Sequence, residues 1–280
     1  MTGRNERTRL VVNADDLGIA PHIDAGIFEA HKSGIVTSAS LFVNFEALAA
    51  SVEDMKKHPE LDVGLHINLT WGASVSAVPT LAADGVFPGG VKPLVNRALT
   101  GKLDRKEIFR EIEAQMGRFR DIGCRSAHVD THQHVYVIPA VAAAIAELAP
   151  RFGFHWVRVP IECFPGASPL WRMFNCLVSS VRWRVNCKQS HKVMGVSYAG
   201  AMDIGCLERL IGSLGPGTYE LICHPAADAS PESRPAQDRL AARRTIELKT
   251  LCSTDAVELL NAKGILLTNF MNLDRMRNAA

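Results

Sequence analysis

Carboxylates and imidazoles follow several strand-like runs of this sequence, near the point where each run ends. The apolar run Leu10–Val12 is followed by Asp15 and Asp16, and Gly18 then marks a turn. Adjacent residues on an extended chain point to opposite sides, but at a strand end both can reach one site in different roles. Two close carboxylates repel each other unless a positive charge lies between them. The pair favours a metal site in which one Asp is a ligand and the other is a free base.

Three further runs carry histidine in a comparable position. His66 lies in Val63–Leu69, His224 follows Leu221–Cys223, and Ala127–His134 places three histidines and an aspartate at every second position. A lone residue of this kind is ordinarily a turn residue or a hydrogen-bonded core group. Burying the whole third cluster without a purpose would cost several kcal/mol. Because active sites of α/β proteins form at strand ends, we expect these segments to build one site.

The donor set suits a divalent metal ion. An Asp and two His from separate strands, with an open position, are typical of catalytic Zn²⁺, with Co²⁺, Ni²⁺, Fe²⁺ or Mg²⁺ as alternatives. Such an ion lowers the pKa of a bound water towards ~7 and polarises a carbonyl. A free carboxylate can then take the proton, and a histidine on the far side can protonate the leaving group. These parts predict hydrolysis of an amide or an ester.

Strand-like and helix-like segments alternate along the chain and must position these residues. The predicted strands lie near Arg9–Asn13, Thr37–Val43, Asp62–Leu69, Ala127–Asp130, Trp156–Val159, Val193–Tyr198, Tyr219–Cys223 and Ile265–Thr268. The predicted helices lie near His22–Ser33, Phe45–Lys57, Arg105–Ile122, Ala140–Phe152, Leu170–Val185, Ile204–Leu214 and Ala236–Leu251. Asp104 is predicted to cap the third helix, with Glu107 at the capping-box position. Repeated β-α units without a composition break predict a single α/β domain over residues 1–280, whose length favours a barrel.

Two long stretches do not fit this alternation and are expected to shape the substrate pocket. Trp71–Gly101 follows the His66 strand, and Glu162–Ala201 follows Arg158. Within the second stretch, residues 170–185 are predicted to form a helix that packs on the barrel with its arginines in water. The alternative is an amphipathic surface that meets a lipid-like substrate or a membrane face, with Trp183 off the apolar face.

Composition and charge narrow the classes of protein. The chain has 31 basic and 29 acidic residues without a long basic run, so nucleic acid is not an expected partner. Residues 1–9 lack the apolar stretch of a signal peptide, and no run of ~18 apolar residues predicts a membrane span. The seven cysteines are odd in number and irregularly spaced, as expected for reduced thiols in the cytoplasm.

Five motifs together resemble the YdjC-like carbohydrate deacetylases, a family that includes chitooligosaccharide deacetylases and hopanoid-biosynthesis deacetylases. They are Asn13–Gly18, Gly34–Ser40, Gly64–Thr70, His128–His134 and Glu220–Pro225, in the family's order and over nearly the whole chain. The resemblance implies an irregular TIM-like (β/α) barrel, similar to polysaccharide deacetylases. It also implies removal of the acetyl group from an N-acetylglucosamine-type sugar, free or attached to a lipid.

The resemblance also implies a role for each site residue. Asp15 matches the general base and His224 the general acid. The metal ligands fall on Asp16, His66 and His132, the last being chosen over His128 and His134. Arg158 matches an arginine that binds substrate by lining the pocket, or else orients a carboxylate.

Gly195–Met202 and the helix predicted over residues 170–185 resemble the hopanoid-linked branch of the family more than its other branches. We therefore expect an N-acetylated sugar or glycolipid as substrate, soluble chitooligosaccharides being the alternative, with peripheral membrane contact and a homo-oligomer such as a dimer. A phosphoesterase would favour a second metal and more basic residues near the site. A non-catalytic sugar-binding or metal-binding barrel would leave Asp15 and His224 without a purpose.

Overall fold

The computed structural model describes residues 7–159, 191–228 and 230–279. Its strands are β1 (Thr8–Leu17), β2 (Ser38–Leu41), β3 (Asp62–Ile67), β4 (His128–Thr131), β5 (Trp156–Val157), β6 (His191–Met194), β7 (Gly217–Cys223) and β8 (Leu266–Thr268). The α-helices of the same residues are α1 (Pro21–Lys32), α2 (Leu48–Met55), α3 (Val91–Leu99), α4 (Arg105–Asp121), α5 (Pro139–Arg151), α6 (Ile204–Gly212), α7 (Arg244–Leu251), α8 (Thr254–Ala262) and α9 (Phe270–Asn278).

The described strands form one parallel sheet in the order β5-β4-β3-β2-β1-β7-β6. Strand β7 runs along one edge of β1 over Thr8–Ala14. Strands β2 and β8 share the other edge, with β8 beside Arg9–Val11 and β2 beside the later part of β1. The parallel sheet curls into an incomplete barrel, with helices between its strands. This architecture confirms the predicted α/β barrel-like fold class.

The central strands of the sheet are buried on both faces, as expected for parallel strands covered by helices. Every residue of β2, β3 and β4 is buried, and β1 is buried from Leu10 onward. Most of this interior is apolar, but polar side chains occupy it towards the carboxyl ends of the strands. Buried examples, one each from β1, β2, β3, β4 and β7, are Asn13, Ser40, His66, Asp130 and Glu220.

The helix predicted over residues 236–251 is wrong in its first half. The helix begins at Arg244, because Asp238 bends the preceding segment by accepting hydrogen bonds from the Leu240 amide at 3.0 Å and from the Arg244 side chain. Helices α3, α8 and α9 were not predicted. The helix predicted at 170–185 lies outside the described residues.

At the N-terminus of α4, the predicted cap by Asp104 is confirmed, but the predicted capping box with Glu107 is not formed. The Asp104 carboxylate accepts the Lys106 amide at 2.8 Å. Glu107 does not complete a capping box; it accepts instead the amide and the hydroxyl of Thr80, at 2.8 and 2.7 Å. Glu107 thus fastens the 71–101 insertion to α4. No helix among the described residues has the length and apolar character needed to cross a bilayer.

Candidate active site

The carboxyl ends of the strands bring the predicted site residues to one cavity. Asp15 and Asp16 end β1, His66 is on β3, His132 follows β4 and His224 follows β7. All five line a cavity of about 170 Å³. Neighbouring parallel strands end at the same side of a sheet, which is why residues from distant parts of the sequence meet here.

The end of β1 has an irregular backbone that gives its two carboxylates different partners. Register with β2 shifts between Ala14 and Leu17, and Asp16 has a φ of +77°. Gly18 follows with a φ of +91°, a conformation that favours glycine. The buried Asp24 carboxylate of α1 accepts the Gly18 amide at 2.7 Å and fixes this turn. Asp15 and Asp16 can therefore take separate roles although they are adjacent.

Asp16, His66 and His132 place three donor atoms within 4.8 Å of one another. Asp16 Oδ1 lies 3.4 Å from His132 Nδ1 and 3.7 Å from His66 Nε2. Donors bound tetrahedrally at 2.0–2.2 Å are separated by about 3.3–3.6 Å. Asp16 Oδ1 is buried and has no hydrogen-bond partner among the described residues. A buried oxygen without a donor, beside two imidazole nitrogens, fits a cation.

His66 is oriented by Asp130 from the adjacent strand β4. Its Nδ1 contacts Asp130 Oδ1, while Asp130 Oδ2 accepts the Ser40 hydroxyl at 2.6 Å. Burial lowers the pKa of His66, but the Asp130 carboxylate, together with Asp15 and Asp16, holds that pKa above its ordinary value. A carboxylate on one ring nitrogen leaves the other nitrogen as a ligand, the usual arrangement behind metal-bound histidine.

Arg158 is buried and contacts three carboxylates. It clasps Asp15 with both terminal nitrogens at 2.7 and 2.8 Å, and it contacts Asp130 at 2.8 Å and Glu220 at 2.7 Å. Burial raises the pKa of Asp15, but Arg158, together with the nearby His66 and His224, holds that pKa well below its ordinary value. Asp15 is therefore ionised at neutral pH. Of the two roles expected for Arg158, this geometry favours orienting a carboxylate over contacting substrate.

A second arginine, Arg244 of α7, pairs with Asp16 Oδ2 at 2.5 Å. Burial raises the pKa of Asp16, but Arg244 and then His132 hold it well below its ordinary value. Because Arg244 occupies Oδ2, Oδ1 remains directed at the two histidines. The pKa of His132 is lowered, chiefly by burial, so its neutral form is available as a ligand.

Asp15, His66 and Asp130 form another group of close donors. Both of its carboxylates are already paired with Arg158. The positive charge of Arg158 would repel a cation held there, so this group suits a metal less well than the group around Asp16.

His224 faces the cavity from the loop after β7, and its side chain is 13 % exposed. Its backbone amide donates to the Glu247 carboxylate at 2.6 Å, and its Nδ1 lies 4.0 Å from the same oxygen. The neighbouring Cys223 is buried, its thiol contacts the Asn13 carbonyl at 3.4 Å, and burial raises its pKa well above the ordinary value. Cys223 is thus unsuited to act as a nucleophile.

The other two histidines of the His128–His134 cluster lie apart from the three donors. His128 is inside the barrel, where its ring packs on Phe270 at 4.3 Å and its Nδ1 lies 3.0 Å from the Ser126 hydroxyl. His134 lines the cavity, and burial, with Arg158 nearby, lowers its pKa to about 3.

Several residues of the site were missed by the sequence-based prediction. Asp130 and Glu220 lie inside the motifs. The polar alternation along β4 was the signal that could have found Asp130, and a charge within the otherwise apolar run of β7 was the signal for Glu220. Arg244 and Glu247 belong to a polar helix that resembles a surface helix in sequence, so no local pattern marks their burial. Other cavity-lining residues from outside the motifs are Trp71, Val196, Ala199, Gln237, Asp238, Arg239 and Leu240.

Comparison with known proteins places this chain in a family. The chain is 32% identical over 268 residues to a carbohydrate deacetylase of Brevibacillus brevis, covering 95% of this chain and 99% of that protein. It is 29% identical to a chitooligosaccharide deacetylase of Salmonella schwarzengrund, covering 78% of this chain and 81% of that protein. The crystal structure of an Enterococcus faecalis protein with a suggested role in cellobiose-phosphate cleavage has the same fold. Its TM-score is 0.77 at 24% identity, and the match covers 95% of this chain and 99% of that one.

The model of the YdjC-like protein family matches residues 9–262, which is most of the chain. This match spans β1 to α8 and includes every residue of the cavity. The chain therefore belongs to the YdjC-like family.

Proposed function

We propose that this protein is a metal-dependent deacetylase that removes the N-acetyl group from an N-acetylglucosamine-type sugar. The observation that carries the proposal is the buried, unpartnered Asp16 oxygen beside His66 and His132, with the ionised Asp15 next to it. Family members named as carbohydrate and chitooligosaccharide deacetylases support the substrate class.

Asp16, His66 and His132 would hold one divalent ion. Zn²⁺ suits this nitrogen and oxygen donor set best, with Co²⁺, Ni²⁺, Fe²⁺ and Mg²⁺ as alternatives. When bound, such an ion polarises a carbonyl and lowers the pKa of a bound water.

The residues around the donors supply the proton transfers. Asp15 accepts the proton of the attacking water, and the Arg158 clasp keeps its carboxylate ionised and fixed in orientation. His224 donates a proton to the nitrogen of the departing amine. Amide cleavage needs that proton because an amine anion is a very poor leaving group.

The cavity walls suit an acetamido sugar. Val196, Ala199 and Ile222 give one side of the cavity apolar atoms that could receive an acetyl methyl group. Beyond Trp71, an adjoining cavity of about 360 Å³ is lined by Gln133, Gln237, Arg239 and neighbouring residues. This polar lining supports a hydroxyl-rich neighbour, as in a chitooligosaccharide.

A hopanoid glycolipid is the alternative substrate. It rests on the resemblance of Gly195–Met202 to the hopanoid-linked branch and on residues 170–185, which lie outside the described residues. Val196 and Ala199 of the first segment line the cavity, so this segment would contact whichever substrate binds. The cytoplasmic location and the homodimer expected from the sequence stay predictions.

An acetate-release assay tests the proposal. Zn²⁺-loaded protein would be incubated with N-acetylglucosamine, diacetylchitobiose and an N-acetylglucosaminyl lipid, with chelator-treated protein as the control. We expect acetate from at least one of these substrates and loss of activity after chelation. Absence of acetate from all three would overturn the proposed activity, and full activity after complete metal removal would overturn the metal dependence. The ratio of the rates on diacetylchitobiose and the lipid decides between the two substrates.

A further inference from the structure

Helix α7 carries two buried charges on the face that meets the site. Arg244 is 2 % exposed and Glu247 is fully buried. Residues three apart lie on the same face of a helix. Burying an arginine and a glutamate is unfavourable unless each is paired, so their partners indicate what the helix does.

Arg244 joins the proposed metal ligand Asp16 to the loop before α7. One terminal nitrogen donates to Asp16 Oδ2 at 2.5 Å and to Asp238 Oδ1 at 3.0 Å. Its Nε donates to Asp238 Oδ2 at 2.8 Å. The planar guanidinium can serve both carboxylates at once, whereas a lysine ammonium lacks this fixed fork. Arg244 therefore fixes both the position of Asp16 and the oxygen that it leaves open.

Glu247 holds the loop that carries His224. Its Oε2 accepts the His224 amide at 2.6 Å, and its Oε1 accepts the Gly200 amide. Two N–H donors on two separate oxygens require a carboxylate. A glutamine would offer only one acceptor oxygen and would face the second amide with its own NH₂ group.

We propose that α7 is a positioning element, in which Arg244 presents Oδ1 of Asp16 to the metal and Glu247 sets the backbone of His224. The inference rests on the proposed function for the role of His224. The Arg244 part depends only on metal binding. Each acts through the residue that it holds.

The Arg244 part is tested with Arg244→Lys, which retains the positive charge and removes the fork. We expect Co²⁺ and Zn²⁺ affinity to fall by about 10-fold or more, and the visible spectrum of the Co²⁺-loaded protein to change. The matched control is Arg243→Lys, since Arg243 is the exposed neighbour on the chain and should leave both unchanged. Wild-type affinity and an unchanged Co²⁺ spectrum in Arg244→Lys would overturn this part.

The Glu247 part is tested with Glu247→Gln, with the exposed Glu258→Gln of α8 as its control. We expect amide turnover to fall by about 10- to 100-fold with Co²⁺ affinity unchanged. Glu247→Asp retains both acceptor oxygens and should recover part of the loss. A Glu247→Gln enzyme with wild-type turnover, or one whose loss is explained by metal release, would overturn this part.

If the wild type releases no acetate, the proposed function fails, and the Arg244 measurement still decides the metal-positioning part.

Discussion

Asp15 and Asp16 are adjacent in the chain, yet each is paired with its own arginine. Arg158 holds both oxygens of Asp15, while Arg244 holds only Oδ2 of Asp16. This difference leaves Asp16 with one free oxygen near two histidines and leaves Asp15 as an ionised carboxylate beside them. At the scale of single residues, the site gives the proposed ligand and the proposed base different partners.

Asp15→Asn should retain the metal and lose most of the activity. Asparagine has nearly the same size but cannot accept the proton, so turnover should fall on the order of 10²- to 10⁴-fold. Acetate release and elemental analysis on the same preparation check this. Loss of metal that accounts for the whole inactivity would make Asp15 a ligand instead of a base.

His224→Ala should damage amide turnover far more than turnover of an activated aryl acetate. The aryl oxide leaves without protonation, whereas the amine needs a proton, for which His224 is the proposed donor. Parallel kinetics on diacetylchitobiose and an aryl acetate ester measure the difference. Equal losses on both substrates would show that His224 only positions the metal ligands or the substrate.

At the scale of elements, two helices hold the strand ends that carry the site. Asp24 of α1 binds the turn after β1, and α7 contacts both Asp16 and the His224 loop. Asp24 Oδ2 also accepts the Ser51 hydroxyl at 2.5 Å, which joins α1 to α2. The turn with two positive φ values is thus held by contacts from outside its own strand.

Asp24→Asn should stabilise the protein above pH 6 and have little effect near pH 4. Burial raises the pKa of Asp24 to about 6 against its ordinary 3.8, so the folded form binds this proton more tightly than the unfolded form. The stability that this proton provides is present at low pH and is lost as pH rises to about 6, on the order of 2–3 kcal/mol. Asparagine can still accept the Gly18 amide, and its NH₂ can donate to Ser51, whose hydroxyl lies 2.9 Å from the Ala47 carbonyl.

Thermal unfolding of Asp24→Asn at pH 4 and pH 8 measures this effect. The control is the exposed Glu60→Gln, which should follow the wild type at both values. A variant that is less stable than the wild type at pH 8 would show that the turn needs the negative charge of Asp24.

At the scale of the whole molecule, the site joins strands that lie far apart in sequence. Its proposed ligands come from the ends of β1, β3 and β4, which are held together by the parallel register of the sheet. An ion bound by all three would bind the folded chain and not the unfolded one. Ligand binding of this kind stabilises by about 2.7 kcal/mol at a free concentration 100 times the Kd.

We therefore expect one divalent ion per chain and a higher melting temperature when Zn²⁺ is added. Asp16→Ala, His66→Ala and His132→Ala should each reduce the metal content and the melting shift, because three ligands leave little redundancy. Elemental analysis and thermal unfolding of the single variants check this. Full metal content in His132→Ala, with loss in His134→Ala, would show that the wrong histidine was chosen.

The sequence by itself determined where the strands lie along the chain and which polar residues stand at their ends. Runs such as Leu10–Val12 and Val63–Leu69 are apolar because both faces of a parallel strand are buried, and that requirement is local and visible. The helices were less predictable. Arg244 begins α7 because a loop residue, Asp238, binds its side chain, and no periodicity in the sequence reports that contact.

Only the tertiary structure decided which charges meet. Arg158 pairs with Asp15 across 143 residues, and Arg244 pairs with Asp16 across 228. The sequence context of neither arginine marks it as the partner of a particular carboxylate, and the burial of each charge is favourable only because an opposite charge arrives from a distant element. The sequence could name candidates for the ligands and the base, because polar residues at strand ends are visible locally and the family resemblance assigns them roles. The partners that set their orientation and pKa depend on how the sheet curves and on which helix packs against it.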